Sequence, residues 1–290
     1  MKVIMFWSYK GGSGRTVAAA NAAAALAKLG KRVAIIDLDF EGPGLHHVLG
    51  VEETEQYRNG TGIQHFLRGD IDDPDRFDTE VVIDLFGTGG PLRRFQPEIP
   101  DGAVLLYVMA SPKVTQVNAA QNAQVATRLR SLLQLFRHKH EIEYVILDAA
   151  SGLREAYSIA ADVSDEILVF FRWSIQHVEG TLHMIRYMGL FKEFDQHYIP
   201  FRVIASAVPS DEELEGLDEN TKMSLKRTKE EAKKRIGDLM TKYRFVPADV
   251  FHEIPEMLSM KWKESLAVFG EGVSTYQSMV EKLLQSSEMS

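Results

Sequence analysis

The chain has 290 residues, 45% of them hydrophobic, and its 33 Lys and Arg stand against 41 Asp and Glu for a formal net charge of −8. That length and apolar content suffice for one large α/β core, and the negative balance argues against holding nucleic acid through a general positive field. Cysteine is absent, which excludes disulfides, thiol catalysis and cysteine-held zinc or iron–sulfur groups.

In chain order, Val3–Trp7 is a continuous apolar run that reads as a buried strand, Thr16–Leu29 reads as a small-residue helix closed by Gly30, and Arg32–Leu38 as a second strand. These make one βαβ unit. Glu52–Pro100 is polar and glycine-rich and predicts a small helix and irregular loops, an insertion over about residues 52–100. Further strands are predicted at Ala103–Met109, Tyr144–Leu147, Glu166–Phe171 and Arg202–Val208, separated by helical patterns at Gln116–Arg137, Leu153–Ala161 and Val178–Phe191. Asp211–Lys242 opens acidic and turns basic, and predicts an exposed helical excursion over about residues 211–242, read as a solvated helix with i,i+4 ion pairs before any partner-binding role. Near the end, "TYQSMVEKLLQSS" spaces Tyr276, Met279, Val280, Leu283 and Leu284 as a docked core helix, with too little basic charge for a membrane-targeting one. The order predicts a doubly wound α/β fold, a mostly parallel sheet with helices on both faces, as a single domain over residues 1–290. The first residues are too short an apolar run for a signal peptide, and no stretch of about eighteen apolar residues occurs, so the expectation is a soluble, cytoplasmic protein.

The chemistry is concentrated where strand meets helix. "SYKGGSGRTV" puts Gly11, Gly12, Ser13, Gly14, Arg15, Thr16 and Val17 between the first strand and the first helix, where unpaired N–H groups converge on an anion and glycines permit close approach. The usual phosphate loop G-x-x-x-x-G-K-[ST] fails twice, with Tyr9 at the first glycine and Arg15 at the lysine. Asp37 and Asp39 end the second strand in "VAIIDLDFEGPGL", and Asp148 ends "YVILD"; carboxylates at strand ends face the ligand crevice of an open α/β sheet. Such an acid, with the Thr16 hydroxyl as direct ligand, suits Mg²⁺ beside a nucleotide phosphate, although an Asp after a strand is also a common turn former. The histidines, including His46–His47 and His138/His140, present no ligand set at metal spacing, and Trp7, Trp173 and Trp262 read as packing residues.

"KGGSGRT", "DLDFEGPGL", "YVILDAASGL" and "EIPEMLSMKWKESLAVFGEG" resemble, in order, four landmarks of the ParA/MinD family of deviant Walker-A ATPases. The chain is most similar to a bacterial subgroup with K-G-G-x-G-R-[ST], which also carries a segment like "SIQHVEGT" at Ser174–Thr181. The resemblance implies a P-loop NTPase fold, ATP and Mg²⁺ as cofactors, and an ATP-dependent homodimer read by a regulatory or effector protein. It implies that Lys10 is the signature lysine that reaches the phosphates of a second subunit, that Asp39 orients the attacking water, and that Asp37 lies nearer the magnesium shell. It places Gly152 where a backbone N–H meets the γ-phosphate, although Ala150 stands where the family commonly has proline. Pro255 resembles the family's loop near the base, which favours adenine, as does the lack of an N-K-x-D sequence after a strand. Arginine keeps the charge at position 15 but not the compact geometry of lysine, so a nucleotide sensor with little hydrolysis is the alternative to an ATPase switch. A small-molecule ligase or kinase would need a substrate pocket that no motif identifies.

Overall fold

The computed structural model describes residues 1–114, 117, 122–153, 155–194, 199–209, 214–245, 252–257, 266–270 and 273–287. Trp262 and the starts of the predicted Gln116 helix and Asp211 block lie outside them. The strands are β1 (Lys2–Trp7), β2 (Arg32–Leu38), β3 (Val82–Asp84), β4 (Val104–Val108), β5 (Tyr144–Ala149), β6 (Glu166–Phe171), β7 (Phe201–Val208) and β8 (His252–Pro255). They form one sheet in the order β3-β4-β2-β5-β1-β6-β7-β8, and all neighbours are parallel except β3 with β4. The chain winds from β1 to β2 and β4 on one side, returns through β5, and runs out through β6, β7 and β8 on the other. The winding therefore reverses beside β1, the place where such sheets open a crevice at their strand ends.

Alternation along β1 shows how the two faces are filled. Ile4 and Phe6 enter the apolar cluster built by α1 (Arg15–Lys28), while Val3, Met5 and Trp7 enter the cluster on the opposite face. Helix α1 is buried on nearly every side: Ala18, Ala19, Ala20 and Ala22 to Ala27, with Leu26 among them, are all almost inaccessible. Small side chains let it lie between the sheet and the C-terminal helix Val273–Ser287, whose Tyr276, Met279 and Val280 are buried against the same cluster. The amphipathic reading of that terminal segment thus holds for these three residues. Asn21, fully buried in α1, accepts from Val268 N–H at 2.9 Å and donates to Val17 O at 2.9 Å, so neither end of its amide is orphaned.

Two expectations change. After α2 (Leu45–Leu49), the stretch beyond residue 52 is more ordered than loops with a small helix, since it holds α3 (Glu55–Asn59), α4 (Ile63–Arg68), α5 (Pro74–Val81) and the antiparallel edge strand β3. Local signals account for the helices: Thr54 caps α3 through Tyr57 N–H, Asp73 caps α5 ahead of Pro74, and Gly60 and Gly69 end α3 and α4 at φ 72° and 87°. The charged block forms the helix Glu219–Lys242, capped by Asp218, but it is docked along one face rather than standing clear. Its Ala232, Ile236 and Met240 are buried in the cluster that contains Met184 and Met188 of Ile175–Phe194. Lys229 and Lys233 also pair with Glu253 of β8 at 2.8 and 3.0 Å.

Candidate functional site

The glycine loop leaves β1 at Trp7 and enters α1 at Arg15, as the sequence predicts. Gly12 and Gly14 have φ of 73° and 71°, and Gly14 is the helix N-cap, so both adopt left-handed backbone that side chains disfavour. Asp37 and Asp148 are paired partners on the adjacent strands β2 and β5, which places two carboxylates side by side at the strand ends beneath this loop. Both are fully buried, and one oxygen of each, Oδ2, has no hydrogen-bond partner.

Arg15 supplies the local positive charge. Only 7% exposed, it donates from Nε to Asp148 Oδ1 at 2.6 Å and from Nη2 to Asp39 Oδ2 at 2.9 Å, and Nη2 lies 3.5 Å from Thr16 Oγ1. The side chain expected to face phosphate is therefore folded onto the acids. Asp39 also accepts Gly42 N–H at 3.1 Å and donates its own N–H to Asp37 Oδ1 at 3.0 Å, tying the loop after β2 to the buried acid. Burial, then the neighbouring Asp148, pushes the Asp37 carboxyl well above the usual carboxylate range. Burial also raises Asp148, against the pull of Arg15. Burial opposes the charge on Arg15, yet Asp148 and Asp39 outweigh it and raise its pKa. Removing the guanidinium would leave buried carboxylates unpaired, a change that typically costs about 3–5 kcal/mol.

Gly152 is hydrogen-bonded through both of its backbone polar groups. It is left-handed at φ 82°, its N–H donates to Ser8 O at 2.9 Å, and its carbonyl accepts Trp7 Nε1–H at 2.9 Å. The N–H assigned to a γ-phosphate is thus engaged with the strand-to-loop junction. Lys10 is exposed. Burial, then the charges of Arg172 and Lys10, lowers the pKa of His177. Val17 lines, with Gly14, Arg172, Ser206, Pro255 and Tyr276, a cavity of about 140 Å³ on the other side of α1's first turn. Pro255 ends β8 beside Val208, and Ser206 Oγ bonds Ser13 O, coupling the cavity wall to the glycine loop.

Sequence reasoning missed what Tyr9 does. Its ring packs edge-on against His183 and Trp7, and a Cβ on Gly180 would come 2.4 Å from its Cδ1. The signal was present, because Gly180 belongs to the "SIQHVEGT" segment quoted for its resemblance. The histidine reading also needs correction: the ligand atoms of His46, His47 and Glu52 lie within 4.8 Å of one another. The His47–Glu52 contact lies at the surface, at 2.7 Å with side chains 60% and 48% exposed.

A family profile described as "ParA: NUBPL iron-transfer P-loop NTPase" matches residues 1–68, the span that contains the glycine loop, Asp37 and Asp39. The septum site-determining protein MinD of Bacillus subtilis is 26% identical over 210 residues, which cover 71% of this chain and 65% of that protein. The MinD of the Aquifex aeolicus MinC:MinD cell division complex shares the fold at a TM-score of 0.65 and 18% identity, over 98% of this chain and 96% of that one. This chain shares the fold of the ParA/MinD P-loop NTPases, and its first 68 residues match the ParA profile. It spans just under two thirds of the length of the MinD that it matches in sequence. A second ParA/MinD-type fold, MinD of Pyrococcus horikoshii complexed with Mg-ADP, superposes at a TM-score of 0.60 with 16% identity, over 97% of this chain and 95% of that one. Within the ParA/MinD fold, the donor set here suits a hard divalent cation: two orphaned carboxylate oxygens, a third carboxylate and the Thr16 hydroxyl are all oxygen ligands. The iron-transfer description of the profile has no thiolate counterpart in this chain, which lacks cysteine.

Proposed function

We propose that this protein is an ATP- and Mg²⁺-dependent dimerisation switch that hydrolyses ATP and thereby controls a partner protein. The observation that carries the reading is the pair of buried, incompletely satisfied carboxylates, Asp37 and Asp148, beneath a left-handed glycine loop that opens α1. Gly11 to Thr16 would hold the phosphates through backbone N–H groups, with Val17 and Pro255 toward the base in the adjoining cavity. Thr16, Asp37 and Asp148 would hold Mg²⁺, which when bound supplies charge neutralisation at the phosphates. Asp39 would orient the attacking water, Arg15 would contact phosphate, and Lys10 would reach the nucleotide of the second subunit. The engaged Gly152 N–H would have to leave Ser8 O to meet a phosphate. The MinD structures with Mg-ADP and with MinC support a nucleotide, a metal and a protein partner as classes. The Arg loop supports the subgroup with K-G-G-x-G-R-[ST].

A second reading, a nucleotide sensor with little hydrolysis, is favoured by one contact. Asp39 is held by Arg15 at 2.9 Å, which occupies the carboxylate needed for water orientation. Single-turnover hydrolysis separates the two readings: phosphate release supports the switch, and ATP bound without release supports the sensor. Calorimetry with ATP and Mg²⁺ tests the site itself. Thr16→Ala removes the hydroxyl ligand and is expected to weaken Mg²⁺-dependent ATP binding at least tenfold, whereas wild-type affinity in the variant would contradict the assignment.

A further inference from the structure

Two carboxylates, Asp39 and Asp148, share one guanidinium beside a third, Asp37, and that guanidinium donates to an oxygen of Asp148 and to one of Asp39 while lying 3.5 Å from the Thr16 hydroxyl. A magnesium ion on that hydroxyl needs a bond of about 2.0–2.1 Å and near-octahedral room. A dication so placed would stand within a few ångströms of Arg15 Nη2, in a buried pocket where like charges are weakly screened. Metal on Thr16 and Arg15 on Asp148 and Asp39 are therefore competing arrangements. Arg15 needs somewhere else to go, because a buried guanidinium without an anion is as unfavourable as a buried carboxylate without a cation. Its place at the first turn of α1, directly after the glycine loop, offers one destination, an anion held by the loop.

We infer that Arg15 is a resident counter-cation that excludes divalent metal from the nucleotide-free protein, so that metal enters only when a bound phosphate draws Arg15 off Asp148 and Asp39. The inference rests on the nucleotide-site reading above and adds an exchange of cations to it. The swap leaves neither anion uncompensated: the guanidinium leaves the carboxylates for phosphate as the metal arrives at the carboxylates. Nucleotide and metal are then strongly cooperative, and by linkage each raises the affinity of the other by the same factor. A lysine's compact ammonium, unlike the two-sided guanidinium, lacks the fork that spans two carboxylates at once.

The test uses Mn²⁺ alone as the probe, read by electron paramagnetic resonance of the free ion, with wild type and Arg15→Gln and without nucleotide. Wild type is expected to bind Mn²⁺ weakly, and Arg15→Gln at least tenfold more tightly; equal affinities would overturn the inference. Should Arg15→Gln fail to fold, the wild-type protein carries the test through the side-chain Nε–H resonance of Arg15. That resonance is expected to stay in place with Mg²⁺ alone and to shift when ADP is added with Mg²⁺. A shift with Mg²⁺ alone, or none with both, would overturn the inference. Failure of the nucleotide reading shows separately, as no ADP binding in calorimetry, whereas the Mn²⁺ comparison contains no nucleotide.

Discussion

Gly180 lies inside a helix, Ile175–Phe194, where alanine is ordinarily better by about 0.5–1 kcal/mol. Here the ring of Tyr9 occupies the space a Cβ would need, at 2.4 Å. Gly180→Ala is expected to reverse the usual sign and destabilise by about 1–3 kcal/mol, the cost of overpacking. In a Tyr9→Ala background the same change is expected to be neutral or stabilising, and a double-mutant cycle in urea reads the coupling. Additive effects would show that Tyr9 and Gly180 do not constrain each other. The pair also marks the limit of the sequence at this scale. Asp37, Asp148 and Thr16 were legible because strand ends and helix starts are local patterns. The partners of Arg15 and of the Gly152 N–H were not, since both depend on which loops tertiary packing brings together.

Helix α1 shows what the sequence reveals at the scale of elements. Its run of alanines reads as a helix from propensity alone, and its uniform smallness predicts close neighbours on every side, which the sheet and the terminal helix provide. Ala23, fully buried, has no room for more carbon. Ala23→Leu is expected to lower stability by about 1–3 kcal/mol and the melting temperature by several degrees, whereas an unchanged melting curve would mean that α1 is not packed on both sides. The long parallel strands were equally legible as apolar runs. Strands β3 and β8 were not, because three and four residues at the two sheet edges carry too little periodicity to stand out from loop. The charged helix Glu219–Lys242 was recognised as a helix but not as a docked one. Its buried stripe is only Ala232, Ile236 and Met240, spaced four apart among charged residues.

At the scale of the molecule, the winding reversal beside β1 gathers the glycine loop, both buried acids and the exposed Lys10 at the C-terminal ends of the central strands. No helix among the described residues is long and apolar enough to cross a membrane. Lys10 is exposed at the surface. Two such surfaces facing each other would repel, and bound ATP would supply the anion that turns repulsion into attraction. Assembly and nucleotide are then linked through mass action. Sedimentation of wild type and Lys10→Ala, each with and without Mg²⁺ and a non-hydrolysable ATP analogue, tests this most directly. Wild type is predicted to move from the 32.7 kDa monomer to a dimer when the analogue is bound, and Lys10→Ala to bind the analogue yet remain monomeric. A wild type that stays monomeric with the analogue bound, or a Lys10→Ala variant that dimerises equally well, would contradict the account.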